Sequence, residues 1–258
     1  MAKEIIQIND FPLFQETMKS LGKIAECAKI QINQNGLSVF GKNAYARCEV
    51  FSDSVTTAKD VSFCLMDLNM VNKILSTVRE VHGKDFSGVE LAFDGTFVKV
   101  TSKKFKTKLT TFKEDIISKW VSKKVETKLD PTFEFTTSSQ FIKTVNGHSF
   151  IFQNSEDARV YLSVNPDMEN NVVYATIGND SNELNNSITL KFGLVNFGSL
   201  GDRRLILDFE RLNILNIVQS EEIKVQLMQV PILVYKIAKT GEAGNFSNIT
   251  IYDSLRKS

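Results

Sequence analysis

The sequence predicts an α+β chain of two similar halves, rich in strands and poor in helix. Three observations predict it. The first is a unit used twice: Phe63 to Leu75 and Leu205 to Leu215 each run from a short apolar strand through an aspartate into a short amphipathic helix. Asp67 and Asp208 stand where a helix N-cap belongs, because a carboxylate there accepts the unpaired amides of the first turn. The second is periodicity. Many apolar residues alternate with polar ones, the period of half-buried strands, and Asn35-Gly36 and Asp94-Gly95 mark hairpins between them. The third is order. Strand, helix, three strands, strand, helix, three strands is written once before residue 112 and again after residue 131, which suggests an internal duplication.

The elements follow in turn. Lys3 to Ile8 reads as the first strand. Phe11 to Leu21 is a helix with Phe14, Met18 and Leu21 on one face and Gln15, Lys19 and Lys23, four apart, on the other. Cys27 to Asn33, Leu37 to Phe40 and Tyr45 to Phe51 are strands. Val61 to Met66 leads to the helix capped by Asp67, on which Leu68, Val71, Leu75 and Val78 share a face. So short a helix is marginal alone and must lie against a sheet. Val89 to Phe93, Phe97 to Thr101 and Lys104 to Phe112 close the first half.

Lys113 to Asp130 breaks the pattern. It holds Trp120 among lysines and glutamate, and it ends at Asp130-Pro131, so it reads as a linker. The expected domains are residues 1–112 and 131–258, with 113–130 connecting them. In the second, Phe133 to Thr136 is a strand and Ser139 to Asn146 a helix carrying Phe141 and Val145. Arg159 to Val164, Val172 to Ile177 and Ile188 to Phe192 are strands. After Asp208 the helix face is Leu212, Leu215 and Val218. Ile223 to Met228, Ile232 to Ile237 and Ile249 to Tyr252 finish the sheet.

Composition excludes several classes. With 258 residues the chain can bury a real core, and its net charge of +1 leaves room for local patches of either sign. No apolar run is long enough to span a bilayer, and Met-Ala-Lys-Glu leads straight into Ile5, so an intracellular protein is expected. Cys27, Cys48 and Cys64 are odd in number and scattered through strand-like segments, as reduced core thiols are. With only His82 and His148 beside them, no metal site is expected. No Gly-rich phosphate loop, nucleophile motif or zinc-helix signature occurs, so neither an enzyme nor a cofactor is expected.

Val230 to Gly241, with Pro231 and Lys236, resembles the matching segment of proliferating cell nuclear antigen, the eukaryotic and archaeal sliding clamp. Asn72-Lys73-Ile74-Leu75 resembles the Ser-Lys-Ile-Leu run of that family's second helix. Leu212-Asn213 falls where the family has Leu-Asn, and Gly36-Leu37 follows the first hairpin as Gly-Val does there. The order of elements matches over essentially the whole chain. Phage replication clamps are similar in plan, and the Lys- and Asn-rich style fits a phage or viral member.

The resemblance implies a DNA-clamp fold, with sheets outside and short helices lining a channel, in a homotrimeric ring around duplex DNA. The implied function is a polymerase processivity factor that tethers the replicative polymerase and other DNA-processing proteins, in the nucleoid, host cytoplasm or nucleus according to source. The alternative is a clamp-fold subunit that binds DNA directly as a monomer or dimer. Exposed helix faces offer Lys19, Lys23, Lys73, Arg79, Lys143 and Arg211, cations that suit phosphates without reading bases. Ordinary solvated helix faces carry the same residues. By resemblance, a pocket for polymerase and loader peptides takes in Val39, Phe40, Val125, Leu129, Pro231, Ile232, Ile251 and Tyr252. The family's acidic tail is replaced by Arg256-Lys257. The family's subunit joint maps to an edge strand with Lys106 and Lys108, which lysines protect from promiscuous pairing, and to Val173 and Ala175 on its partner.

Overall fold

A computed structural model describes residues 3–42, 46–112, 130–152, 159–164, 171–178, 187–201, 204–207, 220, 222–229, 232–241 and 244–254. The chain divides into two compact units. One is Met1–Glu126 with Ala238–Ile251, and the other is Thr127–Ile237 with Tyr252–Ser258. The last hairpin thus gives residues to both.

Unit 1 begins with β1 (Glu4–Ile8) and α1 (Phe11–Ile24). Asp10 caps α1, its carboxylate accepting the Leu13 amide at 2.9 Å. The helix runs past the expected stop at Leu21. Gly22 is not a terminator here: a Cβ on it would lie 2.2 Å from Asn72 Nδ2, so it is the point of close approach to the second helix. Ile24, 1% exposed, draws the extra turn into the core. Then come β2 (Cys27–Asn33), β3 (Gly36–Lys42), β4 (Ala46–Ser52), β5 (Val55–Thr57) and β6 (Val61–Leu65). The first hairpin turns on Gln34 and Asn35, and Gly36 opens β3 at φ 142°, where a Cβ would meet Ser52 O at 2.5 Å. The short strand β5 has only three residues, too few for an alternation to show. Helix α2 (Leu68–His82) is capped by Asp67, which accepts from Met70 N at 2.8 Å. It buries Leu68, Val71, Leu75 and Val78, the face that the spacing gave. Strands β7 (Glu90–Phe93), β8 (Phe97–Thr101) and β9 (Lys106–Thr110) complete the half.

Unit 2 repeats the plan: β10 (Pro131–Thr137), α3 (Ser139–Ser149), β11 (Arg159–Val164), β12 (Val172–Gly178), β13 (Ile188–Gly198) and β14 (Leu205–Leu207). The second copy of the strand–Asp–helix unit, from Asp208 on, lies outside the described residues. Strands β15 (Ile223–Met228), β16 (Ile232–Thr240) and β17 (Phe246–Ser254) end the chain. Its core holds Phe133, Phe135 and Phe192, with ring centroids 5.8 and 6.1 Å apart in sequence, and Ile142 and Val145 of α3. Burying such side chains contributes roughly 1.5–3 kcal/mol each.

The duplication is legible in the pairing. Unit 1 has strand orders β5-β1-β7-β8-β9 and β17-β4-β3-β2-β6, and unit 2 has β14-β11-β12-β13-β10-β15-β16. β1–β7 corresponds to β10–β15, β2–β6 to β11–β14, and β3–β4 to β12–β13. β13 does alone what β4 and β5 do together. It pairs with β12 from Ile188, then shifts to β10 from Gly193 to Gly198. At the crossover a Cβ on Gly193 would lie 2.6 Å from Thr136 O.

Candidate functional site

Three surfaces carry the expected residues. The first is the exposed faces of the helices. Lys19 and Lys23 project from α1, Lys73 and Arg79 from α2, and Lys143 from α3, all exposed. Arg79 is partly engaged, since its guanidinium donates to Gln15 Oε1 at 3.2 Å. Gln15 is itself buried and reaches Ser76 Oγ at 3.5 Å, so it ties α1 to α2. Glu16 on the same exposed row is matched by Lys239 Nζ at 3.0 Å, which lowers its opposition to the lysines. Arg211 lies outside the described residues.

The second surface is the outer face of the β2–β3–β6 sheet. Val39 and Phe40 point to opposite sides of β3, as successive strand residues must. Val39 is fully buried among core residues and is not a lining residue of an open pocket; this corrects its assignment. Phe40 is half-buried on the outer face, packed with Cys27 against Cys64. Beside it Cys64 and Phe112 exchange backbone hydrogen bonds at 3.1 and 2.9 Å, so the chain enters the 113–129 segment at this face. Phe112, Met66 and Met70 are exposed apolar neighbours in sequence of these strands and of α2. Sequence reasoning did not place Cys64 and Phe112 beside Phe40, because a single bridge leaves no periodic signal. Ile251 is buried in unit 1, while Ile232 and Tyr252, half-buried, belong to unit 2. Val125, Leu129 and Pro231 lie outside the described residues.

The third surface is the sheet edges. β9 ends its sheet, with Lys106 and Lys108 exposed and Lys108 Nζ 4.5 Å above the Phe97 ring. β12, by contrast, has β11 on one side and β13 on the other. Val173 and Ala175 are buried in an interior strand and cannot offer a free ladder, which corrects their placement at a joint. The open stretch is instead Ile188 to Lys191 of β13, which among the described residues has a strand on the β12 side only.

Elsewhere the chemistry is structural. Burial pushes the Cys48 thiol up to about 12, so it is inert. His82 Nε2 lies 2.8 Å from Ser102 Oγ, and His148 Nδ1 lies 2.8 Å from Thr144 O. Among the described residues no group of three or more His, Cys, Asp or Glu is placed to hold a metal, and no helix is long and apolar enough to cross a membrane.

No family model and no curated protein matches the chain. Solved structures do. The chain is similar to proliferating cellular nuclear antigen from Entamoeba histolytica, with a TM-score of 0.69 at 15% identity over 99% of each chain. It is similar to A. fulgidus PCNA bound to the C-terminal region of FEN-1, with a TM-score of 0.71 at 12% identity over 100% of this chain and 99% of that one. The H. pylori beta clamp aligns at 0.69 and 11% identity, over 100% of this chain and 68% of that one. The chain therefore has the sliding-clamp fold over its whole length.

Proposed function

We propose that the protein is a DNA sliding clamp, a non-enzymatic processivity factor that closes into a homotrimeric ring on duplex DNA inside the cell. One observation carries the reading. In unit 1 the edge of β4 is covered by β17, the chain's own last strand. In unit 2 the equivalent edge, Ile188 to Lys191 of β13, is open among the described residues, and so is β9, the unit 1 counterpart of β17. Among the described residues the duplication thus leaves β9 and this β13 stretch as a matched pair of edges, besides the sheet ends β5, β6 and β14. Pairing β9 of one copy with β13 of the next is a head-to-tail contact, which generates a ring when its rotation closes. The domains we assign are 1–112 and 131–258, with 113–130 as the connector.

Within such a ring Lys19, Lys23, Lys73, Lys143 and Arg211 meet phosphates, with Arg79 in a lesser role. Phe40, with Val125, Leu129, Pro231, Ile232, Ile251 and Tyr252 around it, takes short apolar peptides of a polymerase and a loader. Support for both comes from the whole-chain likeness to clamps, one of which holds a FEN-1 segment. The test is topological. The protein is loaded on nicked circular DNA, and the circle is then cut at moderate salt. Release on linearisation is the expected outcome. Equal retention on circles and on linear duplex would replace the ring with a subunit that binds DNA directly as a monomer or dimer.

A further inference from the structure

We propose that the core of unit 1 holds a binding site for one small apolar guest, about the size of a xenon atom. The site is a cavity of about 40 Å³ between the two helices and the two sheets of the unit. Its wall takes Phe14 and Met18 from α1 and Val71 and Leu75 from α2. One sheet closes it through β1, β5, β7, β8 and β9, and the other through β2, β3 and β6.

The side chains explain the space. Val55, Val71, Val98 and Val100 all line it, and each carries one methylene less than isoleucine. All four are buried, so solvent does not make up the missing volume. Unit 2 differs at the corresponding strand. There β10 brings Phe133 and Phe135 inward, each 1% exposed, where β1 buries only Ile6. Protein interiors pack closely, and a space of this kind leaves the atoms around it short of dispersion partners.

The wall decides the guest. Every side chain on it is aliphatic, aromatic or thioether. A water there would lack the two to four polar partners that a buried water needs. Size narrows the choice further. A space above about 10–15 Å³ admits a water-sized body, and one of about 150 Å³ lined by such residues admits benzene. At about 40 Å³ the cavity takes a noble gas or a one- or two-carbon hydrocarbon and rejects an aromatic ring. Dispersion from the packed carbons and from the thioether of Met18 favours a polarisable guest, and xenon is one. Phe14 and Leu109 are half-buried and the other lining side chains are buried, so the wall meets solvent at these two. Every lining residue belongs to unit 1. The inference does not need the ring, so either reading can fail without the other.

The test is methyl NMR on the full-length protein, labelled at isoleucine, leucine and valine, under several atmospheres of xenon. Expected are saturable shifts at Val71, Leu75, Val98 and Val100, with the buried Ile142 and Val145 of unit 2 unmoved. Benzene at its aqueous solubility should leave all of these methyls unmoved. Val71→Ile and Val100→Ile each add one methyl, from α2 and from β8. Each should weaken xenon binding by at least about threefold and raise Tm by about 2 °C, because added volume stabilises a core only where there is room for it. No saturable shift at the four methyls overturns the proposal. So do shifts shared equally by unit 2, benzene moving the same methyls as strongly, or a fall of Tm in both variants with xenon binding unchanged.

Discussion

β4 and β13 occupy the same place in two copies of one plan, yet one is sealed and the other is not. β4 lies between β3 and β17, while among the described residues the first part of β13 has only β12 beside it. The difference teaches how a duplicated domain becomes a component of an assembly. The last strand of the second copy returns to cover the first, and the last strand of the first copy, β9, pairs only with β8 among the described residues. An exposed edge is a liability unless it is protected or used. Lys106 and Lys108 are exposed on β9, where lysines discourage indiscriminate pairing, and in the proposed ring the β13 stretch of the next copy would pair with it.

The largest effect expected is on that joint. Thr111 N donates to Thr96 O at 2.9 Å, so residues of its parity on β9 face β8, and the Lys108 amide faces the open edge. Lys108→Pro should remove an outward donor without breaking the β8 ladder. It should turn trimers into monomers in sedimentation at micromolar protein, with the circular-dichroism spectrum unchanged. A variant that still sediments as a trimer would show that β9 is not the joint. The next effect concerns the outer faces, which also differ. Unit 1 shows half-buried Phe40 there, whereas unit 2 shows a polar net in which Asn196 Nδ2 donates to Glu134 Oε1 at 2.8 Å and to Thr136 Oγ1 at 2.9 Å, with Leu194 and Phe197 exposed beside it. Burial alone would raise the Glu134 carboxyl, but bonds from Asn196 and Gln226 and the nearby Lys224 and Lys236 outweigh it and hold it below its ordinary value. The proposed function puts apolar peptides on the Phe40 face of unit 1. Phe40→Asp should cut their affinity by at least about tenfold, because a charge is then desolvated against an apolar ligand, while the oligomer persists. Titration calorimetry with a polymerase C-terminal peptide reads both.

A smaller effect separates the two units as DNA surfaces. Each phosphate neutralised adds roughly 0.9 to the slope of log affinity against log salt. Lys19→Ala, Lys23→Ala and Lys73→Ala together should flatten that slope by up to roughly 2.7, and Lys143→Ala by up to roughly 0.9. Fluorescence binding curves on random-sequence duplexes at several salt concentrations measure both. An unchanged slope in the triple variant would take these helix faces away from DNA.

Much of this was legible in the sequence, for reasons that particular residues show. Asp67 marks a helix start wherever it is read, because capping is local chemistry. The Leu68, Val71, Leu75, Val78 face is periodic, so it survives as a signal without any tertiary knowledge. The duplicated order of elements is a global pattern and needs no single residue. What the sequence hid is what pairing decides. Val39 and Phe40 are adjacent in sequence but lie on opposite faces, and only β3's place in its sheet says which face is open. Val173 and Ala175 sit in a strand that reads like any other, and only the register of β13 shows that the open edge lies further along the chain. The helix end at Ile24 depended on Asn72 arriving opposite Gly22, a contact between residues fifty positions apart in sequence.

The smallest effect is a pH dependence at the β7–β8 turn of unit 1. Asp94 closes the β7–β8 turn. Lys99 Nζ lies 2.6 Å from one carboxylate oxygen, and the Phe97 and Thr96 amides donate to the other at 2.8 and 3.0 Å. The hydrogen bond from Lys99, then those from the two amides, bring its carboxyl down to about 2. The folded value is thus depressed below the ordinary one near 3.8. The sign follows from linkage: the stability it contributes is fully present above the ordinary value and is lost as pH falls through the folded one. The group is exposed, so the contribution is screened and small. The sequence between β15 and β16, Gln229-Val230-Pro231, contains no carboxylate. Amide exchange at Thr96 and Phe97 should therefore accelerate between about pH 4 and pH 2 relative to amides of β2 and β3. Asp94→Asn should remove that difference and make the exchange at the turn fast and level across the window. If wild-type and Asp94→Asn turns were protected equally at neutral pH, the carboxylate would have no part in holding the hairpin.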